Sequence, residues 1–143
     1  MLPPGAIEAP AKINVTLEVL AKRADGYHGI RSVMLPIGLH DAVRWQPAPG
    51  FSFTCDDAAP RNGTNLVVRA FRALGIEPPL DVTLEKRIPT GGGLGGGSSD
   101  GAAVLRAAAA GAFGALGEKD FLAIARGLGS DVPFFLVETG ALV

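Results

Sequence analysis

Six glycines crowd into the eleven residues 89–99, which end on two adjacent serines. The segment runs Pro89, Thr90, Gly91, Gly92, Gly93, Leu94, Gly95, Gly96, Gly97, Ser98 and Ser99. Glycine allows positive φ and close approach of the backbone to a ligand. Successive amides can then point into one cavity and form an anion nest. An apolar, alanine-rich stretch follows, and the unpaired N–H groups at the start of a helix there would add their own attraction for phosphate. Ser98 and Ser99 stand where a hydroxyl could cap that helix, bind a phosphate oxygen or reach a metal. The loop lacks the Gly-Lys-Ser/Thr of a Walker A sequence. Glycine is too dense in it for a G-x-G-x-x-G match to carry information. A flexible linker would be flanked by polar sequence, whereas this loop separates an alternating segment from an apolar one.

The other candidates are single polar residues. Lys12 and Asn14 share the polar face of an alternating segment. There a lysine is most simply solvated and an asparagine most simply a satisfied structural amide. Asp131 follows a glycine stop and precedes Val-Pro-Phe-Phe. It suits a cap or turn, and an acid beside an apolar run also suits proton transfer. Tyr27 and His28 follow an Asp-Gly turn; they could pack on a sheet, or stack on and hydrogen-bond to a planar ligand. His40, Trp45 and Cys55 read as structural. No Ser-His-Asp or metal-cluster spacing stands out.

These residues need elements to position them. Ile13, Val15, Leu17 and Val19 alternate with Lys12, Asn14, Thr16 and Glu18, which predicts a strand over 12–19 with the apolar set inward. Further strands are predicted over 30–37, 41–46, 51–55 and 80–88. Asn65 can cap a helix whose Leu66, Val67, Ala70, Phe71 and Leu74 recur at helical spacing and whose stop is Gly75. The alanine-rich stretch predicts a mostly buried helix from Asp100 to about Leu116, and residues 118–128 a shorter one. Residues 130–133 read as a turn and 134–143 as a strand. No internal repeat occurs, and residues 1–143 read as one α+β domain, a mixed sheet with helices mainly on one face.

With 48% hydrophobic and 19% charged residues, the chain can build a core and is not a disordered one. Thirteen basic against fourteen acidic residues exclude a general polyanion binder, though not one phosphate held by backbone groups. A lone cysteine excludes an intrachain disulfide and a cysteine-cluster zinc site. No apolar run reaches the roughly 20 residues of a membrane span, and the N-terminus reads as neither signal nor transit peptide, so a cytoplasmic protein is expected.

Taken together, PAKIN (10–14), RADGYH (23–28), NLVVRA (65–70), KRIPTGGGLGGGSSD (86–100) and LGSDVPFF (128–135) resemble the GHMP small-molecule kinases, in the family's order and over nearly the whole chain. The resemblance implies the family's N-terminal domain, of the ribosomal protein S5 domain 2-like fold. It implies ATP as phosphoryl donor, held by residues 89–99, and Mg2+, for which Ser99 is a possible ligand. Asp131 matches the catalytic acid that takes the hydroxyl proton, and Lys12 the catalytic lysine beside it. Asn14 would orient the substrate hydroxyl or Lys12, and Asn65 lies in a segment placed near the nucleotide. Tyr27 and His28 match residues that stack on and hydrogen-bond to cytosine. That points to a small-molecule substrate carrying a cytidine diphosphate group, 4-diphosphocytidyl-2-C-methyl-D-erythritol, phosphorylated on its 2-hydroxyl in isoprenoid precursor synthesis. Mevalonate or homoserine as acceptor, or a nucleotide-binding fragment without activity, are the other readings. Family members run to about twice this length. The resemblance therefore implies a C-terminal half as partner, and an apolar face here that it would cover.

Overall fold

The computed structural model describes residues 1–22, 28–56, 65–89 and 93–136; for 15–22 and 28–33 it describes the backbone alone. The elements are β1 (Gly5–Lys22), β2 (His28–Pro47), β3 (Ser52–Cys55), α1 (Leu66–Leu74), β4 (Leu80–Glu85), α2 (Gly96–Ala109), α3 (Phe121–Leu128) and α4 (Val132–Leu136). One four-stranded sheet has the order β1-β2-β4-β3. The β1–β2 and β2–β4 pairs are antiparallel, while β3 runs parallel to β4. A parallel pair needs a crossover, and α1 supplies it. The sheet is mixed, as expected.

Alternation decides which face is buried. Leu80, Val82 and Leu84 of β4 point into the core between the half-buried Asp81, Thr83 and Glu85. They pair with Pro47, Trp45 and Val43 of β2. The helices cover this face, and α2 packs on both β1 and β2. Phe51, Phe71, Phe113 and Trp45 form a chain of aromatic contacts with centroids 5.0–5.3 Å apart. Each large apolar side chain fully buried there contributes about 1.5–3 kcal/mol by area. Helix α2 is rich in alanine and glycine because α1 lies close: a Cβ on Gly101 would come within 3.2 Å of Leu66 Cβ.

Several predicted boundaries move, each for a local reason. The strands expected over 30–37 and 41–46 are one strand, β2. β4 stops at Glu85, short of Ile88, because the next amides leave the ladder: Arg87 N and Ile88 N donate to Asp41 Oδ1 at 2.6 and 2.8 Å. α2 spans Gly96–Ala109, not Asp100 to Leu116, so its first turn is built from the glycine loop itself. α3 starts at Phe121, where Asp120 Oδ1 accepts from Ala123 N at 3.0 Å. Residues 132–136, expected as a turn and the beginning of a strand, form α4, and Pro133 is tolerated because it lies in the first turn. Residues 137–143 of that expected strand lie outside the described residues.

The largest correction concerns β1. Register shifts between Pro10 and Lys12: Pro10 pairs with His40, but Lys12 pairs with Pro36. Such an irregularity turns side chains to the other face. Lys12 is therefore only 4% exposed and Ile13 is 40% exposed, the reverse of the predicted alternation.

Candidate functional site

The irregularity at Lys12 has a partner. Lys12 N donates not to the sheet but to Leu94 O, at 2.9 Å, and so ties β1 to the glycine loop. The loop turns at Gly93 and Gly95, which have φ of 69° and 72°. Gly95 is the N-cap of α2, and no side chain caps the helix there. A Cβ at this position would lie 2.9 Å from Phe135 Cζ and 3.1 Å from Lys12 Cγ. Only glycine fits both the conformation and the space. The first intrahelical bond runs from Ser99 N to Gly95 O at 2.9 Å. The amides of Gly96, Gly97 and Ser98 precede it and lack an intrahelical acceptor.

Asp131 lies half-buried in the turn from α3 to α4. That turn abuts the first turn of α2: a Cβ on Gly129 would sit 4.0 Å from Ser98 Oγ. Lys12, the start of α2 and the Asp131 turn thus meet at one corner of the molecule. Among the described residues no ion pair joins Lys12 to Asp131. Asn14 is exposed two residues further along β1. His28 pairs with Lys22 at the far end of the hairpin, its side chain undescribed. Tyr27, Thr90, Gly91 and Gly92 lie outside the described residues. Asn65 caps α1, accepting from Val67 N at 2.8 Å, the role its position predicts. Trp45 and Cys55 are core residues.

Ser99 is fully buried, and its Oγ has no hydrogen-bond partner. A buried hydroxyl left without a partner is uncommon and points to a ligand or ion at the site. Among the described residues no group of three acidic, histidine or cysteine side chains could hold a metal by itself.

Sequence reasoning missed a second group below the loop. Lys86 Nζ lies 2.7 Å from Asp41 Oδ2 and 3.0 Å from Asp100 Oδ2, with all three side chains at most 7% exposed. Burial opposes the charge on Asp41, but hydrogen bonds from Asp100, the Ile88 and Arg87 amides and Lys86 outweigh it and hold the carboxyl below its ordinary value. Burial also disfavours the Lys86 ammonium, and the two aspartates overcome this and raise it. At Asp100, burial and then the hydrogen bond to Asp41 push the carboxyl up to about 9. The available signal was a lone acid heading an apolar helix and a lysine just upstream of the loop.

The chain spans about half the length of the curated relatives it matches. The profile of the family described as "GHMP kinases N terminal domain" matches residues 65–139. The 4-diphosphocytidyl-2-C-methyl-D-erythritol kinase of Chlorobium luteolum is 39% identical over 97% of this chain and 50% of its own length. The protein of the same name from Streptomyces coelicolor is 43% identical over 95% and 48%. A crystal structure of 4-(cytidine 5'-diphospho)-2C-methyl-D-erythritol kinase superposes with a TM-score of 0.67 and 40% identity, over 93% of this chain and 49% of that one. The Methanococcus jannaschii mevalonate kinase, at 16% identity and a TM-score of 0.56 over 87% of this chain and 45% of its own, shares the fold. Among the described residues no helix is long and apolar enough to cross a membrane.

Proposed function

The chain belongs to the GHMP kinase family, and from that premise we propose that it carries the donor half of a kinase site. The substrates we assign are ATP and 4-diphosphocytidyl-2-C-methyl-D-erythritol. The observation that carries this reading is the meeting of Lys12, the glycine loop with the start of α2, and the Asp131 turn. The loop and the free amides of Gly96, Gly97 and Ser98 cradle the ATP phosphates. Asp131 accepts the proton of the substrate 2-hydroxyl. The oxygen bonds to the γ-phosphorus as its bond to the bridging oxygen breaks, and ADP leaves. The Lys12 ammonium offsets charge on the transferring oxygens. Positioning and charge stabilisation are most of what phosphoryl transfer requires. The Ser99 hydroxyl is the group we assign to Mg2+, which when bound neutralises phosphate charge. Asn14 orients the substrate hydroxyl or Lys12. Tyr27 and His28 take the cytosine, and the names of the most similar relatives support that choice of acceptor.

Ile13, Leu35 and Leu39 are each about 40% exposed, and Ile13 pairs with Leu35 on β1 and β2. This apolar strip suits the C-terminal half that the longer relatives possess. ATP is supplied in the cytoplasm, where this reading places the protein.

The test is ADP release with magnesium-ATP and the diphosphocytidyl substrate, against mevalonate and homoserine, with CDP as competitor. Turnover with the first alone, reduced by CDP, is expected. Asp131→Asn lowers it by about 10²–10⁴-fold and leaves ATP binding intact. Turnover that survives this substitution would remove Asp131 as the base. Preference for mevalonate or homoserine would overturn the choice of acceptor.

A further inference from the structure

Two ends of the glycine loop meet over one buried cluster. On the entry side, Asp41 Oδ1 accepts from the backbone N–H of Arg87 and of Ile88, at 2.6 and 2.8 Å. On the exit side, Asp100 sits in the first turns of α2, directly after Ser99. Lys86 Nζ bridges them, at 2.7 Å from Asp41 and 3.0 Å from Asp100. Its ammonium also lies under the loop: a Cβ on Gly96 would come within 3.1 Å of Lys86 Nζ and 3.0 Å of Ile88 Cγ2. Asp41 belongs to β2, the strand that pairs with both β1 and β4. The cluster thus references both loop ends to the centre of the sheet.

A buried set of charges is rarely the most stable way to fill a core, since apolar residues of like volume often do as well or better. What it supplies is direction. Each bond fixes a donor on an acceptor at set distance, and two of the acceptor bonds go to backbone at the loop's entry. An anion nest depends on such fixing, because amides that must reorganise around a phosphate lose most of their advantage.

We propose that Asp41, Lys86 and Asp100 form a clasp that holds both ends of the glycine loop and are positioning residues for the phosphates bound there. The phosphate half of this statement rests on the function proposed above; the clasp itself does not. Among the described residues, the ionisable groups facing Asp100 are Asp41 from β2 and Lys86 from the segment after β4. An asparagine at position 100 keeps an oxygen acceptor for Lys86 Nζ, which lies 3.0 Å from Asp100 Oδ2.

The experiment is amide hydrogen exchange on the unliganded chain, corrected for intrinsic rates. It reads Arg87, Ile88 and residues 94–99, with α1 and β4 as internal reference. Lys86→Met and Asp41→Asn are expected to speed exchange in these loop amides by about tenfold or more, with the reference amides unchanged. Asp100→Asn is expected to leave all of them slow. Loop amides as slow as wild type in a folded Lys86→Met or Asp41→Asn chain would overturn the clasp. If both variants unfold, the wild-type chain decides: the Arg87 and Ile88 amides, bonded to Asp41 Oδ1 at 2.6 and 2.8 Å, are expected to exchange slowly, and exchange at the rate of unprotected amides would overturn the clasp. Calorimetry with magnesium-ATP is the separate arm, where Lys86→Met weakens binding about tenfold or more. A wild-type chain that shows the exchange pattern but binds no ATP would support the clasp and overturn the phosphate reading.

Discussion

At Asp100 burial and the neighbouring Asp41 hold a proton on the carboxyl up to about 9, whereas its ordinary value is 3.8. Between those two limits the folded chain binds a proton that the unfolded chain has released. The contribution of this group to stability is therefore fully present below about 4 and is lost as pH rises to about 9. Asn at this position cannot ionise. Thermal denaturation of wild type is expected to fall in midpoint between pH 6 and 9, and that of Asp100→Asn to fall less. Parallel curves would mean that Asp100 is ionised in the native chain. Asp41 acts in the opposite sense. Its carboxyl is held low, so its contribution is present above about 4 and is lost as acid protonates it.

At the scale of the element, α1 was fully legible. Asn65 accepts from Val67 N, and Gly75 ends the helix at φ 73° with its amide bonded to Phe71 O and Arg72 O. These are local rules, and the core did not override them. Asn65→Ala is expected to lower stability by about 1 kcal/mol, read by urea unfolding with an unchanged slope. A loss of nucleotide affinity beyond that would indicate that Asn65 also touches the ligand. Helix α4 was not legible. Val-Pro-Phe-Phe has strand-like composition, but Val132, Phe134 and Phe135 are buried against the helices, and contact with α2 and α3 decides their conformation. The start of α2 was missed because six glycines argue against a helix by propensity. Packing of Gly95 against Phe135, and of Gly96 against Lys86 and Ile88, requires residues without side chains and overrides that preference.

For the molecule as a whole, one apolar core joins the sheet to its helices. Phe71 is central to it: it is 2% exposed and meets Phe51 edge-on and Phe113 at a tilt. Phe71→Ala is expected to destabilise by about 3–5 kcal/mol in chemical denaturation. A loss under 1 kcal/mol would show that α1 can collapse onto the sheet without it. The same packing sets the site. β1 belongs to the sheet, yet its irregularity at Lys12 allows the strand to bond to Leu94 and brings the lysine indoors.

The sequence by itself determined the α+β class, the strand-loop-helix order around residues 89–99, the caps of α1 and the identity of the polar candidates. All of these depend on periods, caps and turn chemistry within a few residues. The tertiary structure alone decided that Lys12 points inward while Ile13 faces solvent, because a register shift depends on the partner strand. It alone joined Asp41, Lys86 and Asp100. These stand 45 and 14 residues apart, measured from Lys86, and nothing local links them. Their value comes from low-dielectric burial, which exists only once sheet and helix have closed over them.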